Sequence, residues 1–488
     1  MRKLPFLILG FLVGCSAGPD YDAPEAPDWQ PEQWQAQGGT AAAQADLDWW
    51  RQFDDPMLDR LVEQAITDNL SILAAQERVK LAQSYREAVS ATSLPQVSLG
   101  AGYAAGQLSE QGPIGGPLLN PSVGGQPLGF PLADRQLDAT FLGLGVAWEP
   151  DLFGKTASMI EASDARAEQV AIIADGTRLM VVGGVVSNYL QLRSAQSQKA
   201  LLRAQLEDLN QIKPRVESLQ KHGLTSSIES DQIDAQVAAV SALLTQLDTV
   251  FEVHGRRLAI LLSLPSSSLL EELSTVQPMP QITDVIPVGL PSELLQRRPD
   301  IRLAERQMKV ANAELGVAIA NRYPSFYLTG APGVVSSDFS DLFSSGSTAW
   351  SFGAGMNWAL FDGGLREAMQ AVAESQVNIA ALDYQRTLLS AFSEVETLLS
   401  AYGYSSQNLA ALTRSRDQVA RAVQRTGSLV DSGLAGTVDL LKAQASLHQA
   451  NGALLLAQSQ HAQLVVAIYK SLGGSWSETQ AQGANPTG

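Results

Sequence analysis

The chain has 488 residues, of which 45% are hydrophobic and 17% charged, and its formal net charge is −17 at pH 7. Phosphates attract basic surfaces, so this acidic balance argues against a nucleic-acid partner. The negative charge indicates either a solubilising surface or a lumen that favours cations.

The first fifteen residues carry a signal for export and lipid attachment. Arg2 and Lys3 precede a short apolar run that ends in Leu12-Val13-Gly14-Cys15, which is the pattern of a secretory signal closed by a lipobox. Cys15 is the single cysteine, so no internal disulfide is possible, and we predict a covalent diacylglycerol and an N-acyl chain on it. Ser16, in place of an acidic residue, favours the outer membrane. The alternative is an ordinary signal peptide with an incidental cysteine.

Four later segments alternate apolar with small or polar residues, as strands do when one face meets lipid and the other meets water. Each is about as long as a tilted strand that crosses the hydrocarbon layer. After the signal we expect no apolar stretch of the roughly 20 residues that a membrane helix needs. The alternative is the edge of a small soluble sandwich. The segments are residues 96–103, 142–148, 324–330 and 352–360.

Four strands are too few to close a barrel, because an open sheet in lipid leaves backbone groups unpaired. The chain must therefore oligomerise, and two copies would give eight strands, whereas three would give a wider barrel with room for a pore. Two loops rich in glycine, proline and serine, residues 104–136 and 334–348, should lie on the same face, with the helices on the other.

Long stretches of good helix formers predict two helices of about 65 residues, or roughly 100 Å each. They begin near Gly154 and Gly364, and turns at Gly223 and Gly433 reverse them into helices over residues 226–262 and 437–472. Shorter helices over 71–93 and 300–321 would stack on the returning helices and complete a cylinder wall. The alternative is a rod-like coiled coil. Pro214 predicts a kink in the first long helix alone.

The two halves repeat one architecture, because equivalent residues recur about 210 positions apart. The pairs are Gly143 and Gly353, Gly145 and Gly355, Trp148 and Trp358, Gly154 and Gly364, Leu179 and Leu389, Gly223 and Gly433, Leu224 and Leu434, and Leu262 and Leu472.

Catalytic and metal-binding patterns are not evident in the sequence. The four histidines have no cysteine or carboxylate partner at a metal-ligand spacing, and no catalytic motif falls in a suitable context. We therefore expect no enzyme activity, no metal and no cofactor beyond the lipid on Cys15. The histidines are His222, His254, His448 and His461.

Four short runs carry a resemblance to a known family. They are Gly18-Pro19-Asp20-Tyr21 closely after Cys15, the run 148–154 that leaves the second strand, Arg297-Arg298-Pro299-Asp300-Ile301, and the run 358–364. With these runs the chain resembles the outer-membrane factor family, the TolC-like exit ducts of tripartite efflux pumps and secretion systems. Within that family it resembles the lipoprotein subgroup, which is of the NodT type.

The resemblance implies a mainly α fold with membrane β structure. Three chains of a homotrimer would contribute four strands each to one shared β-barrel, continued by a long α-helical periplasmic barrel with two internal repeats. It also implies outer-membrane lipid, a periplasmic adaptor (membrane fusion) protein and an inner-membrane pump of the resistance-nodulation-division type as partners. The location would be the Gram-negative outer membrane, with the chain lipid-anchored and extending into the periplasm.

The resemblance also assigns functional residues. Glu229 and Asp439, each six residues after a turn glycine, match the acidic positions of the periplasmic gate. Capping of the returning helices is an alternative role for both carboxylates. The turns themselves look like the surface on which the adaptor docks, and their residues are Gly223, Leu224, Gly433 and Leu434. Ala435 and Lys442 depart from relatives that carry a base and an acid there, so a salt-bridged latch is not predicted.

The predicted function is passive conduction of small molecules, such as drugs and toxic compounds, from the periplasm or the pump to the outside. The alternatives are a duct for polypeptide or polysaccharide export and a non-conducting structural lipoprotein. The predicted segments are a signal peptide (1–14), a lipid-anchored arm (15–60), a helical segment (61–93), a first β-barrel hairpin (94–149), a first helical hairpin (154–262), an equatorial connector (263–299), a periplasmic helix (300–322), a second β-barrel hairpin (323–360), a second helical hairpin (364–472) and a tail (473–488).

Overall fold

A computed structural model describes most of the chain, in ten helices and six strands. Cys15, the predicted signal peptide, nearly all of the tail, much of the arm and part of the connector lie outside the described residues. The described residues are 17–24, 27, 29, 31, 33–35, 48–123, 125–280 and 291–473.

The helices include two of 67 residues, which span about 100 Å at 1.5 Å per residue and confirm the predicted length. In chain order they are α1 (Pro56–Asp68), α2 (Leu70–Ser90), α3 (Gly115–Leu119), α4 (Lys155–Lys221), α5 (Ser227–Leu261), α6 (Ser266–Leu273), α7 (Leu294–Arg297), α8 (Pro299–Ala320), α9 (Leu365–Asp431) and α10 (Thr437–Ser471). The strands are β1 (Gln96–Gln107), β2 (Ser122–Val123), β3 (Gln126–Pro127), β4 (Gln136–Trp148), β5 (Ser325–Ser336) and β6 (Thr348–Asn357).

The internal repeat holds at the level of these elements, with two different spacings. Helices α4 and α5 begin at 155 and 227, and their counterparts α9 and α10 begin 210 positions later, at 365 and 437. Helix α2 and strand β1 begin at 70 and 96, whereas α8 and β5 begin 229 positions later, at 299 and 325. The extra residues of the first half lie between β1 and β4, so the longer loop there accounts for the change of spacing.

The chain divides into two compact units. The first comprises the described parts of Met1–Ala23, Ala82–Ala167 and Gln307–Ala380, and the second comprises those of Pro24–Leu81, Glu168–Arg306 and Ala381–Gly488.

The first unit contains a four-stranded antiparallel sheet with the order β1-β4-β5-β6. Its two hairpins share one register, because Gln96 lies opposite Ala147 in the first and the equivalent Ser325 lies opposite Asn357 in the second. Because β4 and β5 are antiparallel, with Thr140 opposite Ser336, the β1–β4 and β5–β6 connections leave the strands at the same end, as predicted for the two loops.

The strands are longer than the alternation predicts. The third was expected to end at Gly330, but β5 continues to Ser336. Pro332 lacks the N–H group that a ladder needs, and the β4–β5 pairing accordingly skips from Gly143 to Val146 before it resumes. The loops predicted over 104–136 and 334–348 are correspondingly shorter. Small and polar residues at the strand ends join the sheet through backbone hydrogen bonds, and they show no apolar alternation that would have predicted a strand. The first loop also contains α3 and the β2–β3 hairpin.

The second unit is a layer of long helices with the order α5-α4-α10-α9. Lys213 on α4 binds Asp234 on α5 at 2.5 Å, and Asp208 on α4 lies 2.7 Å from His448 on α10. His461 on α10 contacts Ser405 on α9 at 3.1 Å, which completes the order. The N-terminal part of this unit packs on the same helices, where Trp49 stacks on Tyr469 with ring centroids 4.8 Å apart.

Helix α4 differs from the sequence prediction in one respect. One window of 18 residues in it is long and apolar enough, with a mean hydropathy of 1.6, to pass as a membrane span. The expectation of no such stretch was therefore wrong, although core helices of soluble proteins pass the same test. Helix α4 also continues without interruption through Pro214 to Lys221, and the predicted kink stays a prediction.

Candidate functional site: helix turns and strand exits

The two helix-reversing turns have the same hydrogen-bonded geometry. Gly223 and Gly433 adopt φ of 69° and 70°, the left-handed region in which glycine carries no Cβ penalty. In the first turn the Leu224 N–H donates to the Leu219 carbonyl at 2.9 Å, and the Gly223 N–H donates to Gln220 at 2.9 Å. These two bonds define a Schellman motif, which satisfies carbonyls at the end of α4. The second turn repeats them, with Leu434 bonded to Leu429 at 2.8 Å and Gly433 to Val430 at 3.0 Å.

Each turn presents an apolar side chain to solvent. Leu224 and Leu434 are 73% and 77% exposed, although the Schellman motif usually covers the residue after its glycine. Two leucines at repeat-equivalent positions therefore form an uncovered apolar tip on each hairpin.

The two predicted gate acids have different local partners. Each is in the first turn of its returning helix, where the helix dipole favours a carboxylate. Asp439 accepts a hydrogen bond from the Gly436 N–H at 3.1 Å and so caps α10. Glu229 is half-buried, and its Oε2 atom has no hydrogen-bond partner within the described part of the chain. The capping alternative is thus observed for Asp439, whereas the same contact is not recorded for Glu229.

The two hairpins contact each other near their turns through apolar and polar groups. An apolar cluster of the first hairpin contains Leu209, Ile212, Val216 and Ile233, and Leu441 of α10 packs against it. On the same two helices His448 Nε2 lies 2.7 Å from Asp208 Oδ2, and the His448 side chain is 13% exposed whereas that of Asp208 is 34% exposed. The two residues are 240 positions apart and no periodic pattern relates them, so their pairing could not be predicted from the sequence.

A buried arginine joins three helices in the second unit. The Arg298 side chain donates to Asp300 at 2.7 Å, to Glu394 on α9 at 2.8 Å and to the Ser471 carbonyl at the end of α10 at 2.7 Å. Burial opposes its charge, but the hydrogen bonds and charges of Asp300 and Glu394 outweigh burial and raise the pKa of Arg298. Arg298 belongs to the family motif 297–301, and its bridging role depends on contacts with distant parts of the chain.

The position equivalent to Arg298 in the first half of the chain is occupied by a different residue with the same structural role. Asn69 lies 229 positions before Arg298, and its Nδ2 donates to the Leu261 carbonyl at 2.7 Å. Leu261 lies 210 positions before Ser471, so both side chains hold the last turn of a returning helix. An amide serves in one half and a guanidinium in the other, which is why residue identity did not reveal the equivalence.

The exits from the strands repeat in the first unit as well. The indole N–H of Trp148 donates to the Ser93 carbonyl at 3.0 Å, and that of Trp358 donates to the Arg322 carbonyl at 3.1 Å. Ser93 and Arg322 are again 229 positions apart. Amphipathic indole rings at the ends of alternating strands are typical of the membrane–water interface.

The sheet exposes large apolar side chains on its faces. Val97, Leu99, Trp350 and Phe352 are each at least 64% exposed. Exposed apolar side chains on the two outer strands of a sheet indicate contact with lipid or protein. This exposure agrees with a sheet that faces the hydrocarbon layer.

Three of the four histidines lie between long helices of the second unit. His254 Nδ1 is 2.9 Å from Asn188 Oδ1, and the ring of His461 stacks on Tyr402. Burial lowers the pKa of both His254 and His461, and the nearby Arg257 charge adds to the effect on His254. The described residues contain no group of three or more histidine, cysteine, aspartate or glutamate side chains that could hold a metal ion.

An alternating four-stranded sheet, joined to helices of 67 residues that reverse at solvent-exposed turns, defines a subunit of an outer-membrane channel. The chain belongs to the outer membrane efflux protein family, whose model matches residues 61–259 and 290–474. The predicted family, the predicted efflux role and the predicted outer-membrane location are thereby confirmed.

Named relatives cover nearly the whole chain. Nodulation protein T of Rhizobium leguminosarum bv. trifolii is 27% identical over 480 residues, which are 98% of each chain. The solvent efflux pump outer membrane protein SrpC of Pseudomonas putida is 29% identical over 98% of this chain and 99% of its own. The solved structure of the outer-membrane channel OprN superposes with a TM-score of 0.81 at 30% identity, over 95% of this chain and 100% of that one. The predicted fold class is confirmed by this similarity.

Proposed function

We propose that three copies of this chain form a gated duct that passively conducts small molecules across the outer membrane and catalyses no reaction. The observation that carries the proposal is a difference between two repeat-equivalent helix faces. The face on α4 is buried within the chain, whereas the equivalent face on α9 is exposed to solvent. The sheet edges, the turns and the family membership support it.

The helix faces compare the two halves of the repeat directly. Ala162 and Ile172 on α4 are 2% and 3% exposed, whereas their equivalents on α9, Val372 and Leu382, are 49% and 65% exposed. On α4, the nearby Ser158 and Arg166 contact Gly316 and Glu314 of α8. The repeat-equivalent neighbour of α9 would be α2, and we place α2 of a second copy against it.

The sheet edges lead to the same neighbour. Within the described residues, β1 and β6 each pair with one strand only. An unpaired edge in lipid leaves backbone groups unsatisfied, so β6 should pair with β1 of the next copy. Because β1 follows α2 and β6 precedes α9, one interface would contain both contacts.

The repeat also predicts the register of that strand pair. β6 follows β4 by the repeat spacing of 210 positions, and β1 precedes β5 by the spacing of 229. In the β4–β5 register Thr140 lies opposite Ser336, so the equivalent β6–β1 register places Trp350 opposite Gln107 of the next copy. The same rule carries the β1–β4 register onto the observed β5–β6 register. Ser351 should therefore lie opposite Gly106 of the neighbouring chain.

A disulfide experiment tests this interface. Ser351→Cys combined with Gly106→Cys should cross-link neighbouring chains on oxidation, because directly opposite residues approach within about 5.5 Å. Complete oxidation should stop at three chains. The control, Ser351→Cys with Ala105→Cys, should cross-link poorly, since a shift of one residue turns the side chain to the other face. Efficient cross-linking of the control alone would overturn the register.

We assign the closed end of the duct to the turns, with Glu229 and Asp439 narrowing the lumen. Two acids per chain at equivalent positions would give six carboxylates around the opening of a trimer. Such a ring favours cations and raises the barrier to anions.

Conductance of the purified, lipidated protein in a planar bilayer tests the gate. The native trimer should pass small, cation-preferring currents, and Glu229→Ala with Asp439→Ala should enlarge them and abolish the preference. Glu252→Ala, which removes an exposed acid from α5 outside its first turn, is the matched control. Absence of current from a preparation known to be trimeric would favour the non-conducting lipoprotein instead.

The apolar tips at Leu224 and Leu434 are proposed as the docking surface of a periplasmic adaptor, which would link the duct to an inner-membrane pump. Leu224→Glu with Leu434→Glu should abolish efflux-dependent resistance in cells, because a charge replaces the apolar contact. The trimer should still form, which light scattering of the purified protein checks. Full resistance in this variant would contradict docking at the tips.

We propose that the transported compounds are small molecules and include organic solvents, because the relative SrpC is named a solvent efflux pump outer membrane protein. The lipid anchor is proposed to sit on Cys15. The mass of the N-terminal peptide tests it, because acylation adds a diacylglycerol and a fatty acyl group to that peptide.

A further inference from the structure

The start of the described chain is held against the first unit by two hydrogen bonds. The Ala17 N–H donates to the Phe153 carbonyl at 3.1 Å, and the Asn312 side chain donates to the Pro19 carbonyl at 3.0 Å. Phe153 follows the exit of β4, and Asn312 lies on α8. Residues 17–19 therefore lie between a helix and a strand exit.

Between these bonds the backbones approach so closely that no side chain fits. A Cβ atom on Gly18 would lie 2.6 Å from the Cα atom of Gly316 on α8. A Cβ atom on Gly316 would in turn lie 3.2 Å from the Cβ atom of Ser158 on α4. Ser158 is 7% exposed, so the N-terminal segment, α8 and α4 meet at one buried point that only small residues allow. We call Gly316 and Ser158 the notch.

The notch occurs once, although most of the chain occurs twice. The position 229 before Gly316 is Glu87, and the position 210 after Ser158 is Ala368. A glutamate cannot form the close backbone contact that Gly316 allows, so the equivalent place in the other half cannot receive the same segment. The N-terminal segment also has no counterpart in the second half, so each chain has one such segment and one notch to hold it.

The notch lies at the level where the strands end. Phe153 stacks on Tyr323, with ring centroids 4.8 Å apart, and Tyr323 lies two residues before β5. The indoles of Trp148 and Trp358 are held at the same strand exits. Aromatic side chains at strand ends are typical of the membrane interface. A segment docked here is therefore beside the place where acyl chains would enter a bilayer.

We propose that the notch is a docking site for the acylated N-terminal arm, which fixes the lipid anchor at the strand exits. Cys15 precedes Ala17 by two residues, and two residues span at most about 7 Å. When residues 17–19 are docked, the lipid on Cys15 must therefore stay close to the notch. The assignment of a lipid to the arm depends on the proposed function, whereas the docking of residues 17–19 is independent of it. Docking presents the strands of each new chain to the membrane that already holds its lipid.

Hydrogen–deuterium exchange on the full-length trimer tests the docking. In the native protein the Ala17 amide should exchange slowly, because it is hydrogen-bonded. Gly18→Ala should accelerate that exchange by at least about tenfold, since its Cβ atom meets backbone that cannot yield. Asp20→Ala, a change at an exposed residue of the same segment, should leave it unaltered. Equal exchange in native and Gly18→Ala proteins would overturn the proposal.

A second variant approaches the notch from α8. Gly316→Val should accelerate exchange at Ala17 in the same way, and Ala318→Val, which places the same side chain on another face of α8, should not. Acceleration by both variants would mean that general loosening of α8 is responsible, and it would count against the notch.

The role of the lipid is tested by the rate at which newly exported chains become heat-resistant trimers. Gly18→Ala should lengthen the half-time severalfold in the acylated protein. It should have no effect when the chain is exported behind a signal peptide that leaves its N-terminus unacylated. An unacylated native protein, identified by mass spectrometry, would defeat the proposed lipid anchor while the exchange data still decide the docking. An unchanged half-time in acylated protein would overturn the anchor-positioning role.

Discussion

At the scale of single residues, repeat-equivalent places in the two halves can have the same structural role although the side chains differ. Asn69 and Arg298 both hold the last turn of a returning helix, and Asp151 and Asp362 both bond to backbone N–H groups where a long helix begins. Each pair reaches its target from a different residue type or position. The backbone groups at a helix end need partners in every case, and several polar side chains can supply them.

Removal of the Arg298 side chain should be costly, because it would leave Asp300 and Glu394 without their shared cation. We expect Arg298→Ala to lower the free energy of unfolding by about 2–3 kcal/mol, the scale of hydrogen bonds to charged groups. Arg298→Lys should recover only part of this, since lysine lacks the planar fork. Thermal unfolding of the purified protein measures the loss. Arg256→Ala, which breaks an exposed pair with Glu252, should change stability by less than about 0.5 kcal/mol.

Acidification should weaken the helical unit through two histidines. Burial lowers the pKa of His254 and His461 below the ordinary 6.5, so the unfolded chain takes up protons before the folded chain does. The stability that these groups contribute is therefore present above about pH 6.5 and is lost as the pH falls below it. The unfolding temperature should drop by a few °C between pH 7 and pH 5.

The double variant His254→Gln with His461→Gln should flatten this decline. His222 is exposed beside the first turn, so His222→Gln serves as the control and should leave the pH dependence intact. A decline that persists undiminished in the double variant would assign it to other groups.

At the scale of elements, length and composition predicted the long helices closely. Both stretches are rich in good helix formers, and α4 continues through the Gly183-Gly184 pair and Pro214, so helix propensity summed over the whole stretch predicted the length. The strands were predicted less well, because pairing extended β5 through Pro332 to Ser336. A ladder is stabilised by the neighbouring strand, and a local pattern contains no information about that neighbour.

The contact between hairpins makes its own prediction. His448 and Asp208 join α10 to α4, so His448→Ala should leave the half-buried Asp208 carboxylate without this partner. We expect a loss of about 0.5–1.5 kcal/mol in the free energy of unfolding, the scale of one hydrogen bond that water can partly replace, and larger, more frequent openings in a planar bilayer. His461→Ala, on the same helix but directed toward α9, should not change the openings. Unchanged gating in both variants would show that the tie between hairpins does not restrain the turns.

At the scale of the whole molecule, equivalent positions on α4 and α9 should respond in opposite ways to a buried charge. Ala162 is covered within the chain, so Ala162→Asp should unfold the monomer. Val372 is bare in the single chain, so Val372→Asp should leave the monomer folded and prevent assembly. Light scattering gives the oligomeric state, and circular dichroism gives the helix content. A folded Val372→Asp trimer would contradict an interface on α9.

The amino-acid sequence by itself determined the repeat, the two long helices, the turn glycines, the alternating strands and the family. These features are local or periodic, and they follow from helix propensity, from the need for glycine in left-handed turns and from the two-residue period of a strand.

Only the tertiary structure decided which partners distant side chains find. It separated Asp439, which caps its helix, from Glu229, and it paired His448 with Asp208 and Gly18 with Gly316. These contacts join residues that are far apart in the chain, where distance depends on how elements pack and not on any local preference. For the same reason, the exposed face of α9 is recognised as unusual only by comparison with α4, whose equivalent positions are buried within the chain.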